Sequence, residues 1–307
     1  MRKQFLPIGL AILSFLLPLK AIAQNFDEIY VFGDSLSDDG NFYQATGQTI
    51  PPSQNYYEGR FSNGQVWVEY LAKDLGLTPN PSTNFAYGGA GSGLSSTVVS
   101  DQSSPLYYTG VLSQVNGFTA NLKSINSVAD PNALYIVWAG ANDYLFGRAT
   151  DSSQTVANLS QAVKSLASVG AKYIMVPNLP DLGELPGTST SDSAKFLSNL
   201  TLKHNSQLAN SLNKLQKEPT LNGVSVILVD INSLFKKIFH TKKYNFTYVT
   251  DSCIGQGFVG LPPSPIVPGG CNNTDVNQIF FWDSIHPTTA AHNVLADFAY
   301  SASQSKH

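Results

Sequence analysis

The sequence predicts an α/β protein whose parallel sheet is covered by helices on both faces. Apolar runs of strand length recur along the chain, and segments with apolar residues at helical spacing separate them. The strand-like runs lie at residues 29–32, 84–90, 133–138, 173–176 and 224–229. No internal repeat or linker interrupts this alternation. Residues 24–307 are therefore expected to form a single domain, a size that α/β domains reach.

Helices are expected in the intervening segments, where apolar residues recur every three or four positions. The predicted helices lie at residues 65–75, 112–125, 155–169, 193–215 and 287–299.

Two further segments lack periodicity. Residues 40–64 are polar, aromatic and proline-bearing, which predicts a long surface loop. Residues 241–282 contain both cysteines, and we expect an ordered loop there that faces the substrate.

The first 23 residues have the composition of a Sec-type signal peptide. Arg2 and Lys3 precede an apolar run at 5–19, and residues 21–23 have the small-x-small form of a cleavage site. The run is too short and too rich in proline for a comfortable membrane span, although an uncleaved anchor is an alternative. We therefore expect a secreted or periplasmic protein without an integral membrane span.

Charge and cysteine usage narrow the function classes. The chain has 18 basic and 21 acidic residues; the leader removes three basic residues and no acidic one, which leaves a net charge of −6. An acidic surface without lysine-rich runs argues against nucleic-acid binding.

In an oxidising compartment Cys253 and Cys271 are expected to pair, with two free thiols as the alternative; the bond would contribute about 3 kcal/mol. No second Cys/His pair stands at ligand spacing, so no metal or cofactor is expected.

Ser35 is a candidate nucleophile because of where it lies. The strand-like run at 29–32 ends at Gly33, where the chain is expected to turn sharply and open a helix. Turn residues at this point lie at the carboxyl edge of the sheet, where open α/β sheets place ligands. The alternative is that Ser35 only caps the helix.

A nucleophilic serine needs a base, an orienting group and oxyanion donors. The candidate bases are the five histidines: His204, His240, His286, His292 and His307. His204 and His240 are expected on surface helices, while the last two lie in the final helix and at the C-terminus. His286 differs because it lies in a loop before a helix, three residues after Asp283, whose carboxylate could bond one ring nitrogen. A solvated turn is the alternative.

Oxyanion donors are expected at three places. Asn142 follows a buried strand and carries a side-chain NH₂ group, and the backbone N–H of Ser35 is a second candidate. Gly88 or Gly89 could supply a third N–H, because glycine permits close approach. Taken singly, an Asx turn and a tight glycine turn explain these residues equally well.

These motifs together resemble the GDSL, or SGNH, hydrolase family. The matching blocks are residues 33–36 with an extension to 41, then 59–67, 84–90, 140–143 and 283–287. The similarity extends to a branch of secreted bacterial esterases, lysophospholipases, thermolabile haemolysins and phospholipid–cholesterol acyltransferases, and to fungal acetylesterases. No Gly-x-Ser-x-Gly occurs, which argues against an α/β-hydrolase.

The resemblance implies a three-layer α/β/α sandwich with a flavodoxin-like, five-stranded parallel sheet. It assigns Ser35 as nucleophile, His286 as base and Asp283 as the group that orients the base. It assigns the backbone N–H groups of Ser35 and Gly89 and the side chain of Asn142 as the oxyanion hole. Gly89 is chosen over its neighbour by its distance from the start of the glycine block.

The predicted function is a secreted serine esterase or lipase that acts through a Ser-His-Asp triad and an acyl-enzyme. Lysophospholipids or other lipid esters are the expected substrates, with peripheral contact to lipid. A carbohydrate acetylesterase is one alternative. A lipid acyltransferase is another, in which the aromatic loop at Tyr56 and Tyr57 and the disulfide loop supply an apolar acceptor site. A non-catalytic sugar- or lipid-binding protein on this fold would be expected to lack one of these catalytic residues, and none of them is missing from the sequence.

Overall fold

The computed structural model describes residues 24–241, 243–257 and 261–305. The predicted signal peptide and His307 lie outside the described residues. The central sheet has four parallel strands that lie side by side in chain order. These strands are β1 (Ile29–Gly33), β2 (Leu134–Trp138), β3 (Tyr173–Pro177) and β4 (Ser225–Val229). Their bounds agree with four of the five strands predicted from the apolar runs.

The described residues contain eight α-helices, most of them in the predicted positions. They are α1 (Asn41–Ala45), α2 (Trp67–Asp74), α3 (Val111–Ser124), α4 (Ala141–Leu145), α5 (Ser153–Ser168), α6 (Ala194–Leu215), α7 (Ile231–His240) and α8 (Thr289–Ser303). The Glu69 carboxylate accepts the Val66 N–H at 2.9 Å and so stabilises the start of α2. Helix α8 begins two residues after Pro287, because the Thr288 side chain accepts the Ala291 N–H and caps the helix there.

Alternating side chains of each strand enter two separate cores. Val31 and Ile136 contribute to a core shared with α2, α7 and α8, whereas Phe32 and Val137 contribute to one shared with α3, α5 and part of α6. All four side chains are buried. A parallel sheet with a core on each face is a three-layer arrangement, which confirms the predicted α/β class.

Residues 84–90 do not form the additional strand that the sequence predicts. They make one parallel bridge, between Asn84 and Val31, at the free edge of β1. The N–H of Phe85 donates to the Val31 carbonyl at 2.8 Å. On its other side, the segment's Asn84 and Ala86 carbonyls accept hydrogen bonds from the Asn41 side chain. The sheet therefore has four strands and a bridged edge segment, because the chain turns away at the glycines that follow.

The two segments without periodicity are both more structured than expected. The surface loop expected at 40–64 begins with α1 and buries the side chains of Tyr56, Phe61 and Ser62, which pack against residues 283–289. Within 241–282, strands β5 (Tyr248–Ser252) and β6 (Ile279–Phe281) form a small parallel sheet. Sequence patterns miss both features because the stabilising partners lie far away in the chain.

The predicted disulfide between Cys253 and Cys271 is present, with Cα atoms 5.2 Å apart. It joins the end of β5 to the irregular chain that precedes β6. Since β6 leads directly into the segment around Asp283, the bond stabilises the element that carries that carboxylate. Within the described parts of the chain, no helix is both long and apolar enough to cross a membrane.

Candidate active site

The turn that carries Ser35 follows β1 at the carboxyl end of the sheet. The N–H groups of Ser37 and Asp38 both donate to the Asp34 carbonyl at 3.0 Å and close the turn. The helix expected at this point begins only at Asn41. The turn is closed by backbone groups instead, so Ser35 does not cap a helix.

Gly33 is required here for space. A Cβ atom on this residue would lie 3.1 Å from the Trp138 carbonyl oxygen of β2 and 3.3 Å from the Ser37 side chain. The N–H and carbonyl of Gly33 also bond the Gln114 side chain, each at 2.9 Å. Glycine therefore lets the end of β1 pack closely between β2 and α3, which fixes the turn that follows.

Ser35, His286 and Asp283 form a continuous hydrogen-bonded chain. His286 Nε2 lies 2.8 Å from Ser35 Oγ, and His286 Nδ1 lies 2.8 Å from Asp283 Oδ2. A carboxylate only accepts hydrogen bonds, so Nδ1 carries the ring proton and Nε2 accepts from the serine hydroxyl. The structure thus brings together the three side chains predicted to be catalytic, in the order that acyl transfer requires.

Asp283 is 0% exposed, and its carboxylate accepts four hydrogen bonds. Oδ1 accepts from the backbone N–H groups of Ile285 at 2.9 Å and of His286 at 2.8 Å. Oδ2 accepts from the ring of His286 and, at 2.8 Å, from the hydroxyl of Tyr56. The Tyr56 side chain is buried behind the His–Asp pair, and its loop lines a cleft together with the disulfide between Cys253 and Cys271. Tyr57 is the exposed member of the two.

The structure distinguishes Gly88 from Gly89 as candidate oxyanion donors. The Gly88 N–H donates to Asp38 Oδ2 at 2.8 Å and is already used. No partner for the Gly89 N–H is found among the described residues. Gly89 also has φ of 74°, a left-handed conformation that favours glycine. These contacts favour Gly89, and they depend on Asp38, which lies in the extension of the first motif.

Asn142 is the second residue of α4, directly after β2. Its Nδ2 donates to the Ala90 carbonyl at 3.0 Å, which leaves the second amide hydrogen for a ligand. Its neighbour Asp143 accepts hydrogen bonds from the N–H and the hydroxyl of Ser92, at 2.8 and 2.6 Å. These contacts hold the loop that contains Gly89 against the helix that contains Asn142. The two candidate donors therefore belong to one fixed unit.

The remaining described histidines have other surroundings. His204 lies in α6, a helix with an exposed face as expected, but its own side chain is buried, with the Tyr144 hydroxyl of α4 2.8 Å from Nδ1. Burial lowers the pKa of His204 to about 4. His292 is buried in α8, where it accepts the Trp67 N–H at 3.2 Å, and burial lowers its pKa to about 3. His240 ends α7, as predicted.

An apolar pocket opens beside Ser35 and His286. The hydrocarbon part of its lining is contributed by Leu36, Trp138, Leu145, Leu179, Leu182, Leu185, Phe235, Ile285 and Leu295. Two polar side chains also reach it: Asn142, described above, and Asp34, whose pKa burial raises to about 7. No three His, Cys, Asp or Glu side chains of the described residues are grouped so that they could hold a metal ion.

The fold and this arrangement of side chains are compatible with an ester hydrolase, and the family comparison agrees. The model of the GDSL-like Lipase/Acylhydrolase family matches residues 29–299. The match extends from β1 into α8 and includes every residue of the site described above. The chain therefore belongs to the GDSL-like lipase/acylhydrolase family, a family of carboxylic ester hydrolases, as the motifs predicted.

Individual relatives agree with the predicted branch. The chain is 30% identical to a phosphatidylcholine-sterol acyltransferase of Aeromonas hydrophila, over 92% of this chain and 91% of that protein. It is 27% identical to a thermolabile hemolysin of Vibrio parahaemolyticus serotype O3:K6, over 88% of this chain and 62% of the relative. A GDSL esterase/lipase of Arabidopsis thaliana is 26% identical, over 88% of this chain and 87% of its own length.

Proposed function

We propose that the chain is an exported serine esterase that hydrolyses esters of apolar carboxylic acids, with lipid esters as its substrates. The observation that carries this proposal is the buried chain of hydrogen bonds from Ser35 through His286 to Asp283, which opens onto an apolar pocket. In this proposal Ser35 is the nucleophile, His286 the general base and Asp283 the group that orients it.

The proposed reaction has two steps. Ser35 Oγ attacks the ester carbonyl while His286 Nε2 takes the hydroxyl proton, and Asp283 stabilises the imidazolium that forms. The N–H groups of Ser35 and Gly89 and the free amide hydrogen of Asn142 stabilise the oxyanion. His286 then protonates the departing alcohol. In the second step it takes a proton from water, which attacks the acyl-enzyme, and it returns that proton to Ser35 Oγ as the acid leaves.

The pocket lining supports an apolar acyl group over acetate. An apolar acyl group could contact the partly exposed side chains of Leu36, Leu145 and Ile285, and each CH₂ removed from water contributes about 0.8 kcal/mol. An acetyl group has one methyl and would leave most of this surface unused. The carbohydrate acetylesterase therefore ranks below the lipid esterase in this proposal.

The experiment that tests the proposal compares the wild-type chain with Ser35→Ala. A fluorophosphonate probe is expected to label the wild type and not the variant. In parallel, ester release is measured on lysophosphatidylcholine, on p-nitrophenyl esters of increasing acyl length and on acetylated xylan. Release is expected to rise with acyl length and to be lost in Ser35→Ala. Labelling of both proteins, or release from acetylated xylan alone, would contradict the proposal.

A second candidate is a lipid acyltransferase, in which an alcohol instead of water accepts the acyl group. The observation that favours it is the 30% identity with the Aeromonas phosphatidylcholine-sterol acyltransferase over nine-tenths of both chains. The two functions share Ser35, His286 and the acyl-enzyme and differ only in the second step. Measuring how the acyl group divides between free acid and steryl ester, with cholesterol added to the vesicles, separates them.

Export is part of the proposal. The disulfide between Cys253 and Cys271 supports it, since such bonds persist in oxidising compartments. A signal peptide at residues 1–23 would deliver the chain there. N-terminal sequencing of the protein recovered from the periplasm or medium is expected to begin at Gln24.

A further inference from the structure

Tyr56 is a tyrosine at the inner end of the Ser35–His286–Asp283 chain. Its hydroxyl lies 2.8 Å from Asp283 Oδ2, the same oxygen that His286 Nδ1 contacts. The side chain is 3% exposed, whereas that of its neighbour Tyr57 is 42% exposed. We propose that Tyr56 is a positioning residue that holds the Asp283 carboxylate and sets how firmly His286 binds its proton. This inference rests on the proposed function.

The tyrosine hydroxyl can act only as a donor in this contact. A carboxylate oxygen accepts, so the hydrogen between the two atoms comes from Tyr56. Burial, and next the charge of Asp283, raise the pKa of Tyr56 well above its usual value, so the phenol stays protonated. Of the four donors to this carboxylate among the described residues, Tyr56 is the only one from outside residues 283–286.

Hydrogen bonds are the means by which this buried charge is compensated. No Lys or Arg of the described residues forms an ion pair with Asp283, whose side chain pairs with His286. A buried carboxylate without a permanent cation depends on its hydrogen-bond donors. The Tyr56 hydroxyl disperses negative charge on Oδ2, and it also fixes the rotation of the carboxylate relative to the His286 ring.

The consequence for His286 has a definite sign. The groups that act on its ring are Asp283 beside it, the Asp34 carboxyl in the nucleophile turn and neutral His292 in α8. When the Tyr56 hydroxyl is removed, more negative charge stays on Oδ2 and holds a proton on His286 more firmly. A base must be unprotonated to act, so the acid limb of kcat/KM should move to higher pH.

The Tyr56 hydroxyl can be removed without loss of the contacts that hold residues 56–63 in place. Phe61 packs on the His286 ring with centroids 5.1 Å apart, and the Ser62 hydroxyl donates to the Pro287 carbonyl at 2.9 Å. Asn63 Oδ1 accepts the Thr289 N–H at 2.8 Å. These contacts hold residues 56–63 against the histidine loop without Tyr56. Replacing tyrosine by phenylalanine therefore removes one donor and keeps the segment in place.

The test compares Tyr56→Phe with Tyr108→Phe, at an exposed tyrosine that lines neither pocket, as the control. For Tyr56→Phe we expect kcat to fall about 10-fold, the loss of one hydrogen bond to a charged group, with KM changed less. The acid limb of kcat/KM should move up by roughly half a pH unit to one unit. Tyr108→Phe should keep the wild-type rate and pH profile. In Asp283→Asn, adding Tyr56→Phe should have less than a third of its effect in the wild type.

A second variant tests the same idea without removing the hydroxyl. Site-specific replacement of Tyr56 by 3-fluorotyrosine makes the phenol a stronger donor, so the acid limb should move to lower pH. Shifts of opposite sign in the two variants support the proposal, and a wild-type pH profile in both overturns it. If Ser35→Ala keeps wild-type activity, the proposed function fails instead, because the activity then does not pass through this site.

Discussion

The two sides of Ser35 differ in how they are built. On one side, hydrogen bonds of 2.8 Å join Ser35 to His286, His286 to Asp283 and Asp283 to Tyr56. On the other side lies the pocket, where hydrocarbon side chains predominate. The hydrogen-bonded side fixes atoms in one arrangement, because each bond has a required distance and direction. The apolar side selects by size and shape, because hydrophobic contact has no direction.

Because the two sides differ in this way, the reaction rate and the preference among esters should depend on different residues. Changes on the hydrogen-bonded side should lower the rate for every ester by a similar factor. Substitutions in the pocket should change the order in which esters are preferred. They should have a smaller effect on the rate measured with the best ester.

Asn142→Ala should lower kcat by about 10²–10³ for short and long esters alike, with KM little changed. Under the proposed mechanism, the variant loses a donor that acts on the oxyanion and not on the ground-state carbonyl. Steady-state kinetics on an acetate and a decanoate ester measure this, with exposed Asn116→Ala as control. A loss confined to one ester length would break the proposed separation.

Leu182→Phe should lower kcat/KM for the decanoate ester relative to the acetate ester by roughly 10- to 100-fold. Leu182 lines the pocket, and a larger side chain removes space equivalent to one or two methylene groups. The same pair of assays measures the ratio, and Leu202→Phe, at an exposed position on α6, is the control. If both esters lose rate equally, the pocket does not hold the acyl chain.

Asp34→Asn should change the pH dependence of stability. Burial raises the pKa of Asp34 to about 7, so the folded protein binds this proton more tightly than the unfolded chain does. The free energy of unfolding should therefore fall by about 1–3 kcal/mol between pH 5 and pH 8 in the wild type. The variant should lack that part of the decline.

Urea unfolding at the two pH values measures the effect of Asp34→Asn, and Asp27→Asn at an exposed position serves as control. Asp34 lines the otherwise apolar side of the site, so this experiment asks how far that side tolerates a charge. Equal declines in the wild type and in Asp34→Asn would show that the carboxyl is already ionised at pH 5.

The sequence predicts local elements well because local patterns encode them. The apolar run that begins at Ile29 and the helical stripe that begins near Val111 became β1 and α3 with bounds that agree closely. Ser35, His286 and Asp283 were also predictable, since each lies at the end of an element in a recognisable block. Ser35 lies at the end of β1 in the central sheet, whereas Asp283 and His286 follow β6 of the small sheet, so their meeting could not be derived from one sheet edge alone.

The parts that escaped prediction depend on distant partners. Tyr56 has no helical or strand periodicity, and only its hydrogen bond to Asp283, 227 residues away, gives it a role. The choice between Gly88 and Gly89 needed the position of the Asp38 carboxylate. The burial of His204 could have been read from the apolar stripe of α6, since it lies four residues after Leu200 and four before Leu208; only its contact with Tyr144 needed the structure.

The distance in sequence between Ser35 and His286, 251 residues, affects when the protein becomes active. Synthesis proceeds from the N-terminus, so Ser35 is made 251 residues before His286. Under the proposed mechanism the growing chain has no esterase activity until residues 283–289 dock beside Tyr56 and α8 packs on α2. Under that mechanism a producing cell meets no esterase activity from a chain whose synthesis has not yet passed these residues.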